Sequence, residues 1–328
     1  LMPMDGVMLG FVARQLDATL RDGRVDRVIQ PEKDEIHLMI RAQGANHRLV
    51  LSAAAGAARV HLSEHAKTGP MEPPMLCMLL RKYLCGGHVL AVRRIAGDRI
   101  LEIDVSNLSE LGDPVTRTLV VEIMGRHSNI ILRTADGRII DAARHVGQDI
   151  SRVRQVLPGL PYEYPPTQGK LNPETADADA IAAALQQAGG KLEKAIGASI
   201  AGFSPQAARE AAVRIGMDGS ALVSQIDVHE AANALHRYLQ QMPELAPCVV
   251  TLDDNGTPTD VFPFPQLHLP MEHAAEYDNP SAALDAYFYE RDRRDRLNQR
   301  SASLAHTLKN HIERCEKKIA IQNDALAS

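Results

Sequence analysis

The sequence of 328 residues contains no tryptophan, and aromatic residues make up only 4% of it. Surfaces that stack the bases of single-stranded nucleic acids are built from aromatic side chains, so we expect such surfaces to be scarce. Long apolar runs are absent too, and the longest fall far short of the roughly 20 residues that span a bilayer as a helix. The sequence therefore predicts neither a transmembrane helix nor a membrane partner.

Cysteine is rare, and its spacing shows no pattern. The four cysteines, at positions 77, 85, 248 and 315, form neither a CxxC pair nor a zinc-finger spacing. Scattered thiols in a chain of this size are typical of a reducing compartment. The opening LMPMDGVMLG has no basic region of the kind that begins a signal peptide. We therefore expect a cytoplasmic protein.

Motifs for several catalytic chemistries are missing. The chain has no GxxxxGK[ST], no GxGxxG after a strand and no GxSxG, so neither nucleotide hydrolysis nor a serine nucleophile is supported. HLSEH, from His61 to His65, matches the H-x-x-E-H pattern of zinc peptidases, which places both histidines on a helix. Here ARVHL alternates like a strand, so we interpret HLSEH as a strand exit. We predict no catalytic residue, cofactor, metal or small-molecule substrate.

The charge is unevenly distributed along the chain, although its net value is only −5. Residues 76–154 carry 12 basic and 9 acidic side chains, and residues 286–328 carry 9 basic and 6 acidic ones. Residues 155–285 carry 6 basic and 17 acidic side chains, a net charge of −11. A polyanionic partner is therefore expected to contact the two basic segments and to avoid the acidic one, unless these are simply solvated surfaces.

The elements that are present predict an α+β fold. A helix over 5–22 with Asp5 as its N-cap precedes the strand-like runs RVDRVIQ, EIHLMIRA, HRLVLSA and ARVHLS. A second helix, PPMLCMLLRKYLCGG, precedes the runs HVLAVRRIA, RILEIDV, TRTLVVEIM, NIILRT and GRIIDAARHV. We therefore expect an N-terminal domain over residues 1–170, with two groups of antiparallel strands that each follow a helix, closed by an irregular loop over 157–170.

The remaining chain is predicted to be largely helical. Residues 171–270 combine Ala-rich helices, among them a turn at Gly202 that resembles part of a helix-hairpin-helix, with a β-hairpin around Asn255-Gly256. Residues 271–328 read as the first helix of a long coiled-coil arm, because Leu297 and Leu304 lie seven residues apart and no proline or glycine interrupts the run. We expect the natural chain to continue past Ser328.

Two short polar stretches are candidate binding sites. In GDRILEIDV, the pair Asp98-Arg99 is either turn chemistry followed by a strand cap, or a carboxylate and a guanidinium that contact a base and a phosphate. In GRHSN, a loop between two strands, Arg126, His127 and Asn129 either complete a turn or hold a phosphate. The residues alone leave both alternatives open.

The order of the segments resembles the NFACT family. Successive parts of the family's N-terminal domain are similar to MDGVMLGFVARQL, PPMLCMLLRKYLCGGHV, GDRILEI, VEIMGRHSNIIL and ADGRIIDAARHV. Its exit loop, its helix-hairpin-helix region and the start of its coiled coil are similar to RQVLPGLPYEYPP, AGFSPQAAREAAVRIG and LDAYFYERDRRDRLNQRSASL. Each match is weak by itself, but the shared order is specific. The second half of the coiled coil and the C-terminal domain have no counterpart here.

The resemblance implies a ribosome-associated quality-control factor that is not itself an enzyme. Such a factor binds rRNA of the large subunit that carries stalled peptidyl-tRNA, and it recruits alanyl-tRNA for alanine tailing without mRNA, while the ribosome performs the peptide transfer. By resemblance, Asp98, Arg99 and Asp5 are tRNA-binding candidates, and we extend this to Arg126, His127 and Asn129.

Two other functions remain open alternatives. The family's N-terminal domain resembles that of formamidopyrimidine-DNA glycosylases, and Pro3 is the type of nucleophile that those enzymes use. The older family name instead suggests a fibronectin-binding surface adhesin. No disulfide pattern supports this second alternative.

Overall fold

The computed structural model describes residues 4–327, so Pro3 and Ser328 lie outside the described residues. The chain begins with helix α1, Gly6–Leu20, whose N-cap Asp5 accepts a hydrogen bond from the backbone N–H of Met8, as predicted. The second predicted helix is α2, Met75–Leu84. Within residues 4–327, no helix is both long enough and apolar enough to cross a membrane.

Nine antiparallel strands form one sheet, which confirms the α+β class. In chain order they are β1 (Arg24–Glu32), β2 (Glu35–Ala42), β3 (Ala45–Ser52), β4 (Arg59–Leu62), β5 (His88–Arg94), β6 (Ile100–Leu108), β7 (Pro114–Glu122), β8 (Asn129–Thr134) and β9 (Ile139–Ala142). Their order in the sheet is β4-β3-β2-β1-β5-β6-β7-β8-β9.

The two predicted strand groups are continuous with each other. The junction is short, because β1 pairs with β5 only at Arg24 and His88, and flanking backbone hydrogen bonds link Val25 to Gly86 and Gly87. The helices α1 and α2 pack on the apolar face of this sheet. Each group therefore contributes to one shared core rather than to two separate ones.

Apolar residues alternate with Glu102 and Asp104 along β6, which predicts a half-buried strand, but the strand is more buried than that. Leu101, Ile103 and Val105 lie in the main core, as expected for the apolar positions. On the opposite face, however, Glu102 is 0% exposed, and Asp104 is only partly exposed. Something covers the face that the pattern assigns to solvent, and the covering segment is described with the candidate site.

Helices dominate the second part of the chain. They are α3 (Ala178–Ala188), α4 (Leu192–Ser199), α5 (Pro205–Arg214) and α6 (Val228–Gln241). Val7 and Phe11 of α1 pack into the core of these helices, whereas Leu9 and Val12 pack into the sheet core. Helix α1 therefore joins both cores. Helices α4 and α5 flank the turn at Gly202, and their assignment to a helix-hairpin-helix motif stays a prediction.

A three-stranded sheet follows, in the order β11-β10-β12. Its strands are β10 (Cys248–Leu252), β11 (Pro258–Phe262) and β12 (Ala274–Tyr277), and β10 and β11 form the predicted hairpin around Asn255-Gly256. Cys248 and Val250 belong to the same core as α1 and the large sheet. The domain boundaries at 170 and 270 stay predictions.

The chain ends in helix α7, Pro280–Ala327, which is 48 residues long. Its first turns pack on the N-terminal part of the molecule through Leu284 and Phe288, while the helix from Asp295 to Ala327 is exposed to solvent. A single long helix is thus present, and its pairing into a coiled coil stays a prediction.

Candidate RNA-binding cleft

Asp5, Asp98 and Arg99 line one cleft of about 290 Å³. They come from the start of α1 and from the turn between β5 and β6, and the turn before α5 contributes Gly202 and Ser204 to the same wall. The structure therefore brings together the three residues that the family resemblance singled out. The cleft is open to solvent and carries both an acidic and a cationic side chain.

The turn that holds Asp98 and Arg99 differs from the prediction. The predicted run RILEIDV begins at Arg99, whereas β6 begins at Ile100, so both residues belong to the turn. Ala96 and Gly97 both have positive φ, at 50° and 75°. The backbone N–H of Asp98 donates to Ile95 O at 2.9 Å, and the Asp98 carboxylate accepts the N–H of Arg99 at 2.7 Å.

The structure shows the turn role of Asp98, while contact of Asp98 and Arg99 with a base and a phosphate stays a prediction. The Asp98 carboxylate shapes the turn, and both side chains are partly exposed along the cleft. The carbonyl of Arg99 also accepts a hydrogen bond from Ile123 N at 2.9 Å, which ties the turn to the end of β7.

Three glycines allow the backbone segments that form one wall of the cleft to approach each other closely. The backbones of Gly6, Gly97 and Gly202 meet there, and Gly6 N donates to Gly202 O at 2.8 Å. A Cβ at Gly202 would lie 2.1 Å from Gly97 O, and one at Gly6 would lie 2.4 Å from Gly202 Cα. Only glycine allows backbones to approach so closely. This contact holds the β5–β6 turn against α1 and α5.

Asp5 links two helices through one carboxylate. Its Oδ1 caps α1, while its Oδ2 accepts a hydrogen bond from Ser204 Oγ at 2.6 Å. Ser204 is in turn the N-cap of α5, where its hydroxyl accepts the N–H of Ala207. Burial raises the pKa of Asp5, and the hydrogen bonds from Met8 and Ser204 partly oppose that shift. Asp5 thus orders the cleft as well as lining it.

The GRHSN segment lies beside the cleft, but its residues differ in access. Gly125–His127 form a single 3₁₀ turn in which Arg126 and His127 are exposed. Asn129 is only 2% exposed, its Nδ2 donates to Arg144 O, and its Oδ1 accepts the N–H of Ile130 and Arg144. Asn129 therefore joins β8 to the segment after β9, whereas Arg126 and His127 are accessible to a ligand.

The loop over 157–170 forms a wall of the cleft that sequence reasoning missed. Pro165, Thr167 and Lys170 line the cleft opposite the β5–β6 turn. Just before them, the Tyr162 hydroxyl donates to Glu122 at 2.7 Å, and the Tyr164 hydroxyl donates to Glu102. This loop covers the polar face of β6 and explains why Glu102 is buried.

Arginines complete the layer beneath this loop. Glu102 pairs with Arg93 at 3.0 Å and with Arg133 at 2.7 Å, and Glu122 pairs with Arg154. A buried carboxylate is tolerated only when it is paired and hydrogen-bonded. The signal available in the sequence was YEY, in which two tyrosines on alternate positions directly precede the prolines of the wall.

The HLSEH segment has no metal-site geometry. His61 lies in strand β4 and stacks on Phe288 at 6.2 Å between ring centroids, and His65 stacks on Tyr289 at 3.7 Å. Burial lowers the pKa of His61 to about 4. Across residues 4–327, no three His, Cys, Asp or Glu side chains are grouped to hold a metal ion. The segment is a strand exit that packs against α7.

Comparison with known proteins connects this architecture to a family. The family model described as NFACT N-terminal and middle domains matches residues 5–328. The protein named Rqc2 homolog RqcH from Bacillus subtilis (strain 168) is 35% identical over 320 residues, which cover 97% of this chain and 54% of that protein. The protein of the same name from Streptococcus suis (strain 05ZYH33) is 32% identical over 328 residues, which cover 99% of this chain and 55% of that protein.

Solved structures agree with this match. The N-terminal part of the fibronectin/fibrinogen-binding protein from Streptococcus suis has a TM-score of 0.72 and 33% identity, covering 87% of this chain and 98% of that one. The fibrinogen-binding protein from Staphylococcus aureus has a TM-score of 0.73 and 27% identity, and the match covers 88% of this chain and 99% of that one. The chain spans about half the length of the curated relatives it matches.

Proposed function

The chain belongs to the NFACT family, and we propose that it acts in ribosome-associated quality control in the cytoplasm. In this proposal it binds the large ribosomal subunit with its stalled peptidyl-tRNA and recruits alanyl-tRNA for mRNA-independent alanine tailing. The ribosome performs the peptide transfer, so the chain acts as a binding factor rather than as an enzyme. The names of the relatives, Rqc2 homolog RqcH, support the quality-control role.

The observation that carries the proposal is the convergence of Asp5, Asp98 and Arg99 on one cleft. Proteins recognise exposed RNA bases through hydrogen bonds to base edges, and they position the backbone through cationic contacts to phosphate. A carboxylate and a guanidinium on one turn offer both kinds of contact. Arg126 and His127, exposed on the neighbouring turn, extend the cationic surface.

The distribution of charge favours the same face. The cleft turn, the 3₁₀ turn and the arginines of β5, β7 and β8 lie in the segment with net charge +3, and α7 supplies a second basic segment. We propose that the cleft contacts tRNA and that α7 reaches along rRNA. Residues 155–285 carry a net charge of −11, and we propose that the part of them outside the cleft wall is a spacer or a protein-docking surface.

Replacing Asp98 and Arg99 together by alanine tests the proposal. The chain's affinity for deacylated tRNA, measured by filter binding, is expected to fall at least about tenfold, because each lost base or phosphate contact contributes roughly 1–3 kcal/mol. The melting temperature is expected to change little, since β6 begins after this pair. Unchanged tRNA affinity would show that the site is misassigned.

The chain offers a matched control for that experiment. Asp26 and Arg27 form the same dipeptide in β1, and both side chains are exposed. Their double alanine variant also leaves the net charge unchanged, so nonspecific electrostatic attraction to RNA is the same in both variants. The D26A/R27A variant is expected to bind tRNA like the unmodified chain.

A second candidate function follows from the solved relatives, which are named as fibronectin- or fibrinogen-binding proteins. Surface plasmon resonance of the purified chain against immobilised fibronectin distinguishes this candidate. Saturable binding together with the absence of tRNA binding would favour an adhesin over a quality-control factor.

A further inference from the structure

A second cavity lies behind the cleft and shares Asp5, Phe203 and Ser204 with it. Its volume is about 420 Å³, within the range of roughly 300–1,000 Å³ that is usual for small-ligand pockets. It lies between the start of α1, helix α5 and the segment from β11 to Gln266. Apart from the shared residues, which also include Pro205, the lining of this cavity takes no part in the proposed RNA site.

The walls of the cavity are apolar and aromatic. Of the five phenylalanines in the chain, Phe203, Phe262 and Phe264 line it, and they are 7%, 7% and 2% exposed. Tyr238, which is 8% exposed, adds a fourth ring. Aromatic faces attract organic cations through the negative potential above the ring.

The polar groups that face this cavity are mainly acceptors. Asp260 accepts hydrogen bonds from Val261 N and from Gln206 Nε2, and neither Asp260 nor Asp5 pairs with a cationic side chain among the described residues. Gln206 Oε1 is buried without a hydrogen-bond partner. Arg209, on the rim, is exposed and approaches Glu193 at 3.9 Å.

This arrangement favours one class of ligand. Asp5 and Asp260 are partly buried carboxylates that pair with no cationic side chain among residues 4–327, and burial raises the pKa of both. Glu210, the third carboxylate in the lining, is instead satisfied by Arg214, His268 and backbone N–H groups. A ligand that brings a positive charge and several N–H donors, on a stem that fits between aromatic rings, would satisfy the remaining acceptors.

We propose that the cavity bounded by Asp5, Gln206 and Asp260 binds a primary ammonium group carried on a short aliphatic stem. The ammonium group donates to Gln206 Oε1 and to the Asp260 carboxylate, and the stem packs against Phe203, Phe262 and Phe264. This inference goes beyond the proposed function and does not depend on RNA binding.

A pair of isosteric probes tests the proposal. We expect n-butylammonium to bind saturably in ligand-observed NMR and to raise the melting temperature. Neutral n-butanol, of the same length, is expected to bind at least about tenfold more weakly, because charge-assisted hydrogen bonds to buried acceptors are lost. Equal binding of the two probes, or no saturable binding of n-butylammonium, would overturn the proposal.

Variants locate the binding to this cavity. Asp260→Asn keeps the acceptor for Val261 N but removes the charge, and it is expected to weaken n-butylammonium binding at least about tenfold. Gln206→Leu is a second variant, which removes the unpaired acceptor. Asp254→Asn, at an exposed position on the same hairpin, is the control and is expected to bind normally. Normal binding by a folded Asp260→Asn variant would contradict the assignment.

Two sources share this chemistry, a small free amine and the α-amine of a polypeptide. Titration with 1,4-diaminobutane represents the first source and titration with L-leucinamide the second, and the tighter ligand identifies the source. If neither amine binds, the site does not recognise ammonium groups.

Discussion

Gly202 carries two constraints at once. Its φ of +79° lies in the left-handed region that favours glycine, and its α-hydrogen side faces the carbonyl of Gly97. Most other glycines with positive φ in this chain have open space around them. Gly202 is therefore required both for its positive φ and for its close approach to Gly97, which holds the cleft wall together.

This coupling makes Gly202→Ala a specific test of the cleft wall. A Cβ there lies 2.1 Å from Gly97 O, so the β5–β6 turn must shift, and we expect a loss of roughly 2–4 kcal/mol in the free energy of unfolding. Urea denaturation measures this loss. We also expect weaker tRNA binding, since Asp98 and Arg99 lie on the displaced turn.

Gly216→Ala is the matched control for this substitution. Gly216 has a similar φ of +76°, but nothing lies within 4 Å of its Cβ position. Its substitution isolates backbone strain, at about 1 kcal/mol. Equal losses for the two variants would show that the approach to Gly97 contributes nothing.

Among the structural elements, strands β2 to β4 are joined to α7 by buried charges. Glu35 accepts a hydrogen bond from His37 at 2.8 Å and from Lys67 at 3.1 Å. Arg59 approaches Glu35 at 3.9 Å, contacts Asp292 of α7 at 3.3 Å and stacks on Phe288. This cluster is therefore one of the contacts that hold the start of α7 on the sheet.

The ion pairs of Glu35 lead us to expect that acid lowers the stability of the fold. Burial opposes ionisation, but His37, Lys67 and Arg59 together lower the pKa of Glu35 to about 2, below its unfolded value of 4.5. Since the folded pKa is the lower one, the stabilisation is present above pH 4.5 and is lost as the pH falls toward 2. Its size is up to about 3 kcal/mol, at 1.36 kcal/mol per pKa unit.

Urea denaturation between pH 5 and pH 3 measures this effect. The unmodified chain is expected to lose stability steeply over that interval, and the Glu35→Gln variant is expected to lose less over the same interval. Glu72→Gln, at an exposed position in the loop before α2, is the control. Identical pH profiles for the unmodified chain and Glu35→Gln would show that Glu35 does not contribute to the loss of stability in acid.

At the scale of the whole molecule, the exposed part of α7 carries apolar side chains without a partner among residues 4–327. Leu297, Leu304, Leu308 and Ile312 are 53%, 65%, 62% and 57% exposed. Apolar residues at near-heptad spacing associate with a second helix when one is available.

We therefore expect the isolated chain to self-associate through α7 as its concentration rises. Sedimentation velocity measures this association, and replacing Leu304 and Ile312 by lysine is expected to leave a monomer. Replacing the exposed Leu108 and Leu111, near the β6–β7 turn, is the control for general loss of apolar surface. A chain that stays monomeric at all concentrations would contradict the prediction.

Local patterns predicted most individual elements. Asp5 was identified as an N-cap because a short acidic side chain precedes an apolar period of 3.6 residues, and Asn255-Gly256 marked a hairpin because that pair adopts the tight turn that antiparallel strands need. The start of β6 was predicted too early, since charged residues in a turn and at a strand end have the same local pattern. Burial of Glu102 was missed because its covering tyrosines lie far along the chain.

By itself, the sequence determined the α+β class, the positions of most helices and strands, and the resemblance in segment order that the family match confirmed. These follow from local periodicity, capping and turn chemistry, which act over a few residues. Only the tertiary structure decided which polar residues share a cleft, because Gly6, Gly97 and Gly202 meet through contacts between distant segments. It also decided that Asn129 is buried and that Asp5 and Asp260 face one cavity, since burial depends on what the rest of the chain places against a residue.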